Sequence, residues 1–327
     1  MRDYLNYDKI EKLYCKNDIL FGEFNHDAII TYVIPTYKRY DMLKRCVESI
    51  TTQTKEVPYS VLISDNNPQT YNDYKDNPQK YDFFKDKYVI YSVNRENIGG
   101  CANCNQAVFL AKTKYICMVH DDDIVHPMHL YYVNQNLKKD FSLKYLSFGL
   151  KKIDLRYEND LSFKQSKIKR CNIKQINMKD LYYNYDSPML GSIIMREAYL
   201  NVGGIEVGKS NMEDYVFTYK IIKKYEGYLL NYHLYGYTIL ENDSLNNDIW
   251  NDILIEKFFL RKFIKKSKYF ISLPNFLLLA RDIAFLESNK SIKKMCLNKK
   301  YIASSTKVFY LILLFNIFLC KIILKIK

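Results

Sequence analysis

The 327-residue sequence predicts an α/β fold, a mostly parallel, Rossmann-like sheet flanked by helices, with a helical C-terminal extension. Three observations predict it. Short apolar, β-branched runs recur through the first part of the chain, separated by stretches of helical spacing. These runs do not alternate polar with apolar residues, so they read as strands buried on both faces, as in a parallel sheet. Their carboxyl ends carry polar and acidic residues, at the edge where open α/β sheets bind ligands.

Residues 1–27 are polar with scattered apolar positions and predict a short helical or irregular lead-in. The run 28–34 (Ala-Ile-Ile-Thr-Tyr-Val-Ile) predicts a central strand, ended by Pro35. Met42, Leu43, Cys46, Val47 and Ile50 then recur at helical spacing, giving a helix over 41–52 with Asp41 as its N-cap. A second strand over 59–64 ends at Asp65, and Asn66-Asn67-Pro68 makes a turn. An acid at the end of the second strand of a nucleotide-binding unit can accept from a ribose or base; a turn-forming Asp is the plainer alternative. A short helix is expected over 80–84, and a third strand over 88–93.

The segment Asn94-Arg-Glu-Asn97-Ile98-Gly99-Gly100 then opens a helix over 101–112. Glycines at a helix start let backbone amides approach an anion, which the helix dipole favours. The segment has neither the Gly-Lys-Ser/Thr of a phosphate-binding Walker loop nor the dinucleotide fingerprint. A fourth strand over 115–119 runs into His120 and three consecutive carboxylates, Asp121, Asp122 and Asp123. Like charges this close repel, more so beside a low-dielectric core. A divalent cation with oxygen preference, Mg²⁺ or Mn²⁺, would relieve that repulsion. The bland alternative is a solvated loop whose Asp caps a helix starting near Pro127.

A further strand is expected over 145–150 and a loop and strand over 187–195, with a charged excursion over 151–180 between them. A short helix over 196–202 closes at Gly203-Gly204, and another opens at Glu213-Asp214. Acids in a first helical turn complement the dipole; spacing alone favours that role over a general base facing the crevice. Short strands over 228–231 and 237–240 follow. Basic, apolar helices then occupy 249–270, 275–286 and 307–327. The last is marginal against the roughly 20 apolar residues of a membrane span. It reads as an interfacial anchor on an anionic membrane surface, or as a helix packed on the protein. The domain division is therefore 1–27, 28–245 and 246–327.

A net charge of +13 fits nucleic acid, anionic lipid or solubility alone. The 31 tyrosines are spread among both signs of charge rather than along one basic stripe, which disfavours nucleic acid. No apolar signal region follows the N-terminus. Only Cys101 and Cys104 have C-x-x-C spacing, and zinc would need a second pair, so the cysteines read as packing residues in a reducing compartment. The histidines read as structural, with His233 at most a third metal ligand.

The ordered set of motifs resembles the family 2 glycosyltransferases, which have the nucleotide-sugar-binding GT-A fold. It comprises Val33-Ile-Pro-Thr-Tyr-Lys-Arg39, Leu62-Ile-Ser-Asp65-Asn66, Asn97-Ile-Gly-Gly100 through Asn103 and Asn105, His120-Asp-Asp-Asp123, Gly203-Gly204 and Glu213-Asp214. The likeness spans residues 28–240. Asn66 stands where the family often has a second Asp, and no Gln-x-x-Arg-Trp follows Asp214, which argues against a processive polymerase. The resemblance implies that Pro35, Thr36, Tyr37 and Arg39 line the nucleotide pocket and that Asp65 accepts from the base. It places Asn97, Gly99 and Gly100 near base and ribose, and Asp121, Asp122 and Asp123 at a DxD-type site. Asp121 would contact ribose and metal, and Asp123 the metal. Asp214 would deprotonate the acceptor hydroxyl, with inversion at the anomeric carbon. The implied partners are a nucleotide-sugar donor, UDP-linked by family habit, and a saccharide or lipid-linked acceptor in surface polysaccharide synthesis. The implied place is the cytoplasmic membrane face. A sugar nucleotidyltransferase or a basic nucleic-acid binder are the rival expectations.

Overall fold

The computed structural model describes residue 4 and residues 8–53, 57–85, 88–139, 142–155, 173–183, 189–208, 212–239, 247–267 and 275–288. The chain divides into two compact units: Met1–Asn177, Tyr185–Gly208 and Glu213–Leu240 form the first, and Met178–Asn184, Lys209–Met212 and Glu241–Lys327 the second.

In the first unit, β1 (Asn17–Phe21) precedes β2 (Ile30–Thr36) and helix α1 (Tyr40–Thr51). Next come β3 (Tyr59–Asp65), α2 (Thr70–Asp76), a 3-10 turn (Pro78–Phe84), β4 (Val89–Asn94) and α3 (Gly100–Leu110). Then follow β5 (Tyr115–Met118), the two-residue β6 (Ile124–Val125), α4 (His129–Lys139), β7 (Tyr145–Asp154) and β8 (Ile173–Ile176). Helix α5 (Met178–Tyr183) belongs to the second unit. The first unit resumes with β9 (Ile193–Met195), α6 (Arg196–Asn201), α7 (Glu213–Lys224) and β10 (Gly227–Ile239).

The ten strands form one sheet in the order β1-β4-β3-β2-β5-β9-β7-β10-β6, with β8 also on β10. Strands β4, β3, β2 and β5 are parallel, with Ile34 opposite Ile63 and Val33 opposite Met118. Every residue of β3, β4 and β5 is buried, which is why their sequences are continuous rather than alternating. Strand β9 is antiparallel to both β5 and β7, while β7 and β10 are parallel. The sheet is thus mixed in its second half. The core lies against it: Leu43, Cys46, Val47 and Ile50 turn inward from α1, as their spacing predicts.

Four local expectations are corrected. The lead-in is not irregular throughout, because Asn17–Phe21 forms β1, which pairs antiparallel with β4 and closes one sheet edge. Phe21 packs there 5.4 Å from the Tyr91 ring and 5.5 Å from Tyr74. Helix α1 begins at Tyr40, after Arg39, so Asp41 lies in its first turn instead of capping it. Helix α4 begins at His129, so no residue of the acidic triple caps it. The two expected short strands near the end of the unit are one strand, β10, whose register slips on both sides of His233.

In the second unit, α8 (Asn247–Ser267) and α9 (Asn275–Ser288) meet α5 around Asp282. Its carboxylate takes Arg261 at 2.9 Å, Arg281 at 3.0 Å and Lys257 at 3.1 Å. Burial alone would raise the Asp282 pKa, and the three cations more than offset it, leaving it lowered. Arg261 and Arg281 also donate to the Tyr182 and Tyr183 carbonyls of α5. Among the described residues no helix is long and apolar enough to cross a membrane. The expected helix over 307–327 lies outside them.

Candidate active site

The sheet's parallel half aims four strand ends at one edge, and the acidic triple follows β5 there. Its turn is closed by the Asp123 amide donating to the His120 carbonyl at 3.1 Å. Several elements hold the acidic turn. Thr36, the last residue of β2, donates to Asp121 Oδ2 at 2.7 Å. The Arg39 guanidinium lies 3.3 Å from Asp121 Oδ1 and 3.1 Å from Asp122 Oδ2. Arg45 of α1 donates to the Asp122 carbonyl at 2.8 Å.

Asp123 is 0% exposed, and β10 braces it from behind. The Tyr235 hydroxyl donates to its Oδ2 at 2.5 Å, and the Thr238 amide to its Oδ1 at 2.8 Å. The same phenol accepts the His120 amide at 3.3 Å, and the Thr238 hydroxyl donates to the Asp122 carbonyl. Gly191, at φ +73°, leaves the Tyr235 ring room: a Cβ there would lie 2.3 Å from it. Burial, then the Asp122 charge, push the Asp123 pKa up to about 8. Burial also raises Asp121, against the pull of Thr36 and Arg39.

His120, Asp122 and Asp123 bring one ligand atom each within 4.8 Å of one another. The two carboxylates suit Mn²⁺ or Mg²⁺, the imidazole favours Mn²⁺ of the two, and a carboxylate whose burial resists ionisation gains most from a cation. So the geometry groups His120 and Asp122 with Asp123, while Asp121 turns to Thr36 and Arg39. His233, the sequence's candidate third ligand, is exposed beside Gly149 and outside that group.

On the other side of β2, Asp65 is buried at the end of β3. It accepts from Tyr91 at 3.0 Å and the Asn67 amide at 2.9 Å, and burial raises its pKa. The Asn66 side chain ties the loop before α3 to β3. Its Nδ2 donates to Asn97 Oδ1 at 2.7 Å, and its Oδ1 accepts the Ile98 amide at 3.1 Å. Asn97 Oδ1 in turn accepts from Gly99, whose φ of +82° lets the loop turn into α3 at Gly100. Pro35 is half-buried in β2, and Tyr37 is 42% exposed, with Nζ of Lys38 5.1 Å from the centre of its ring.

Asp214 is half-buried in the first turn of α7 and accepts its neighbour Tyr215's amide at 2.8 Å. Desolvation, then the Glu213 charge, raise it to about 6. Both acids act on Cys101, in the first turn of α3: burial and their charges push that thiol up to about 11. One turn on, the Cys104 thiol is raised by burial, by Cys101 and by Asp121. The head of α3 therefore lies within reach of the charge of Asp121 and of both acids of α7. A cavity of about 440 Å³, lined among others by Gly22, His26 and Thr113, sits at the opposite ends of the strands and touches none of these residues.

Sequence reasoning missed Tyr235, Thr238 and Arg45, and gave His120 a structural role. Tyr235 and Thr238 lie more than a hundred residues from Asp123, in a strand with no local motif, so no spacing marks them.

The family described as Glycosyl transferase family 2 matches residues 31–191, from β2 to the loop before β9. An uncharacterized glycosyltransferase of Methanocaldococcus jannaschii is 26% identical over 257 residues, 77% of this chain and 84% of its own length. Among solved structures, S. aureus TarS 1-349 in complex with UDP-GlcNAc superposes with a TM-score of 0.52 at 16% identity, covering 79% of this chain and 72% of that one. The mannosyltransferase PcManGT from Pyrobaculum calidifontis, in complex with GDP-Man and Mn²⁺, gives 0.52 at 13% identity, covering 96% and 90%. At these identities the two structures speak for the fold. The motif order, the sheet and the family match agree, and the chain belongs to the family 2 glycosyltransferases, enzymes of the GT-A fold.

Proposed function

We propose that this enzyme moves a sugar from a nucleoside-diphosphate donor, a UDP-sugar, to a hydroxyl of a saccharide or lipid-linked acceptor, with inversion and with Mg²⁺ or Mn²⁺ bound. The observation that carries the proposal is that two acidic sets reach the thiols of the first turns of α3 with their charge, Asp121 at Cys104 and Glu213-Asp214 at Cys101, while His120, Asp122 and Asp123 cluster as ion ligands. The ligands bound by TarS and by the Pyrobaculum mannosyltransferase support a nucleotide-sugar donor.

Each residue then has a task. Tyr37 offers an exposed ring to the base, and Asp65 a hydrogen-bond acceptor. Asp121, fixed by Thr36 and Arg39, faces the nucleoside. His120, Asp122 and Asp123 would hold the divalent cation, which when bound neutralises charge on the departing diphosphate. Arg39, half-exposed over Asp121 and Asp122, can turn its guanidinium to a phosphate. Asp214, with a pKa of about 6, is ionised at neutral pH and basic enough to take the acceptor's proton. The acceptor oxygen bonds to the anomeric carbon as the bond to the diphosphate breaks, and the proton passes to Asp214. One displacement inverts the centre and needs no enzyme nucleophile.

The acceptor belongs to surface polysaccharide synthesis at the cytoplasmic membrane face, and the lysine-flanked apolar segment 307–327 supports that placement from sequence. A panel of nucleotide sugars screened by thermal shift with Mn²⁺ tests the donor. One sugar nucleotide should raise the melting temperature by mass action, and chelator should abolish the rise. Equal shifts with and without chelator would contradict the metal-dependent reading.

A further inference from the structure

Asn105 lies in the middle of α3 at 0% exposure, and its carboxamide is fully engaged. Nδ2 donates to the Ile205 carbonyl at 2.7 Å and to the Tyr14 hydroxyl at 3.0 Å. Oδ1 accepts from the Ile205 amide at 2.9 Å and the Tyr199 hydroxyl at 2.8 Å. That is both backbone groups of one loop residue, with no bonding capacity left over. The next loop residue is fastened elsewhere: Glu206 lies 3.5 Å from Nζ of Lys220, which is 2% exposed on α7. Adjacent residues of one loop are thus clamped to two helices. The two glycines before them permit the approach. A Cβ on Gly204 would meet Asn105 Oδ1 at 2.3 Å, and one on Gly203 the Asp8 carbonyl at 2.4 Å.

What the clamp holds apart is functional. Helix α3 brings Cys101 and the Asn97–Gly100 loop; α7 brings Asp214 in its first turn. We propose that Asn105 and the Glu206–Lys220 ion pair are positioning residues that set the spacing of α3 and α7 and so aim Asp214 across the head of α3. The inference rests on the reading of Asp214 as the base, and its test separates the two. A role confined to fold stability would lower the melting temperature without moving Asp214 in the folded enzyme.

The Cys101 thiol reports that movement, because the α7 acids help to hold it protonated. The experiment follows its alkylation by iodoacetamide against pH, quantified on the Cys101 peptide by mass spectrometry, in Lys220→Met and Glu206→Gln. Cys101 should react at lower pH than in the parent as the carboxylates withdraw. In the same proteins kcat should fall about tenfold to a hundredfold, the scale of a misplacement near 1 Å, while donor KM holds. Lys220→Arg should keep parental values. Unchanged Cys101 titration and kcat in folded Lys220→Met overturn the proposal, as does a loss of donor affinity in step with kcat. If Lys220→Met does not fold, Glu206→Gln and a shortened Glu206→Asp give the same readout. Should Asp214→Asn keep full transfer, the base assignment fails, and the Cys101 profile alone then decides whether the clamp sets the spacing.

Discussion

Asp123 is a carboxylate stored where ionisation is unfavourable, and this has a measurable cost. The folded chain keeps its proton up to about pH 8, whereas an aspartate in water gives it up near 3.8. Folding therefore takes up a proton between those values, and this contribution to stability, full below the lower one, is lost as pH rises through the upper. Asp123→Asn keeps the shape and removes the titration. In chelator it should melt higher than the parent at pH 8 and no higher at pH 4, by scanning fluorimetry. Its Mn²⁺-dependent nucleotide binding, followed by calorimetry, should vanish. Asp214 works with the opposite requirement, since a base must be ionised. The acid limb of kcat should fall below about pH 6, the value to which desolvation raises Asp214. Asp214→Asn should bind donor normally and lose transfer by about a hundredfold or more, the usual share of general base catalysis.

At the scale of elements, legibility follows burial. Strands β2 to β5 announce themselves because both faces are covered and their sequences are mostly apolar, without polar alternation. Strand β1 hides because it is a half-exposed edge strand, Asn-Asp-Ile-Leu-Phe, whose place depends on contacts far along the chain. Gln106 of α3 makes those contacts: it accepts the Tyr14 and Cys15 amides and donates to the Cys15 carbonyl and Asn94. Gln106→Ala would strand several buried groups, costing about 1–3 kcal/mol in denaturant titrations and speeding amide exchange over β1. Strand β10 reads as two because the polar residues around His233 coincide with its register slips. The donor-side motifs were readable since each is local to one strand end. The brace on Asp123 was not, since it joins residues that only tertiary pairing brings together. Asp65, Asn97 and Asp214 were legible as residue types, while the hydrogen bonds that orient them were not.

On the scale of the molecule, the sheet separates duties. Its parallel half presents the loops assigned to the donor, and its mixed half supplies Gly191, Tyr235 and Thr238 behind the acidic turn. The second unit is fastened internally by the cations around Asp282 and carries the basic helix α8. Segment 307–327 gives the whole enzyme its proposed address. Deleting it should reduce co-sedimentation with anionic vesicles by orders of magnitude, because each of its lysines contributes about one kcal/mol at an anionic surface. Transfer to a water-soluble acceptor should remain. Equal binding by the shortened enzyme would remove the anchor from the account.

The partnership of Tyr235 and Thr238 with Asp123 also bears on biosynthesis. A ribosome releases the aspartate long before it releases its two supports, separated by 112 and 115 positions. Until those last strand residues emerge and dock, Asp123 lacks both of the donors that hold it in the folded chain. Catalytic competence thus comes late in translation, and such long-range closure belongs with slow folding. A prematurely terminated chain would be inert, even with every recognisable motif of its first half intact.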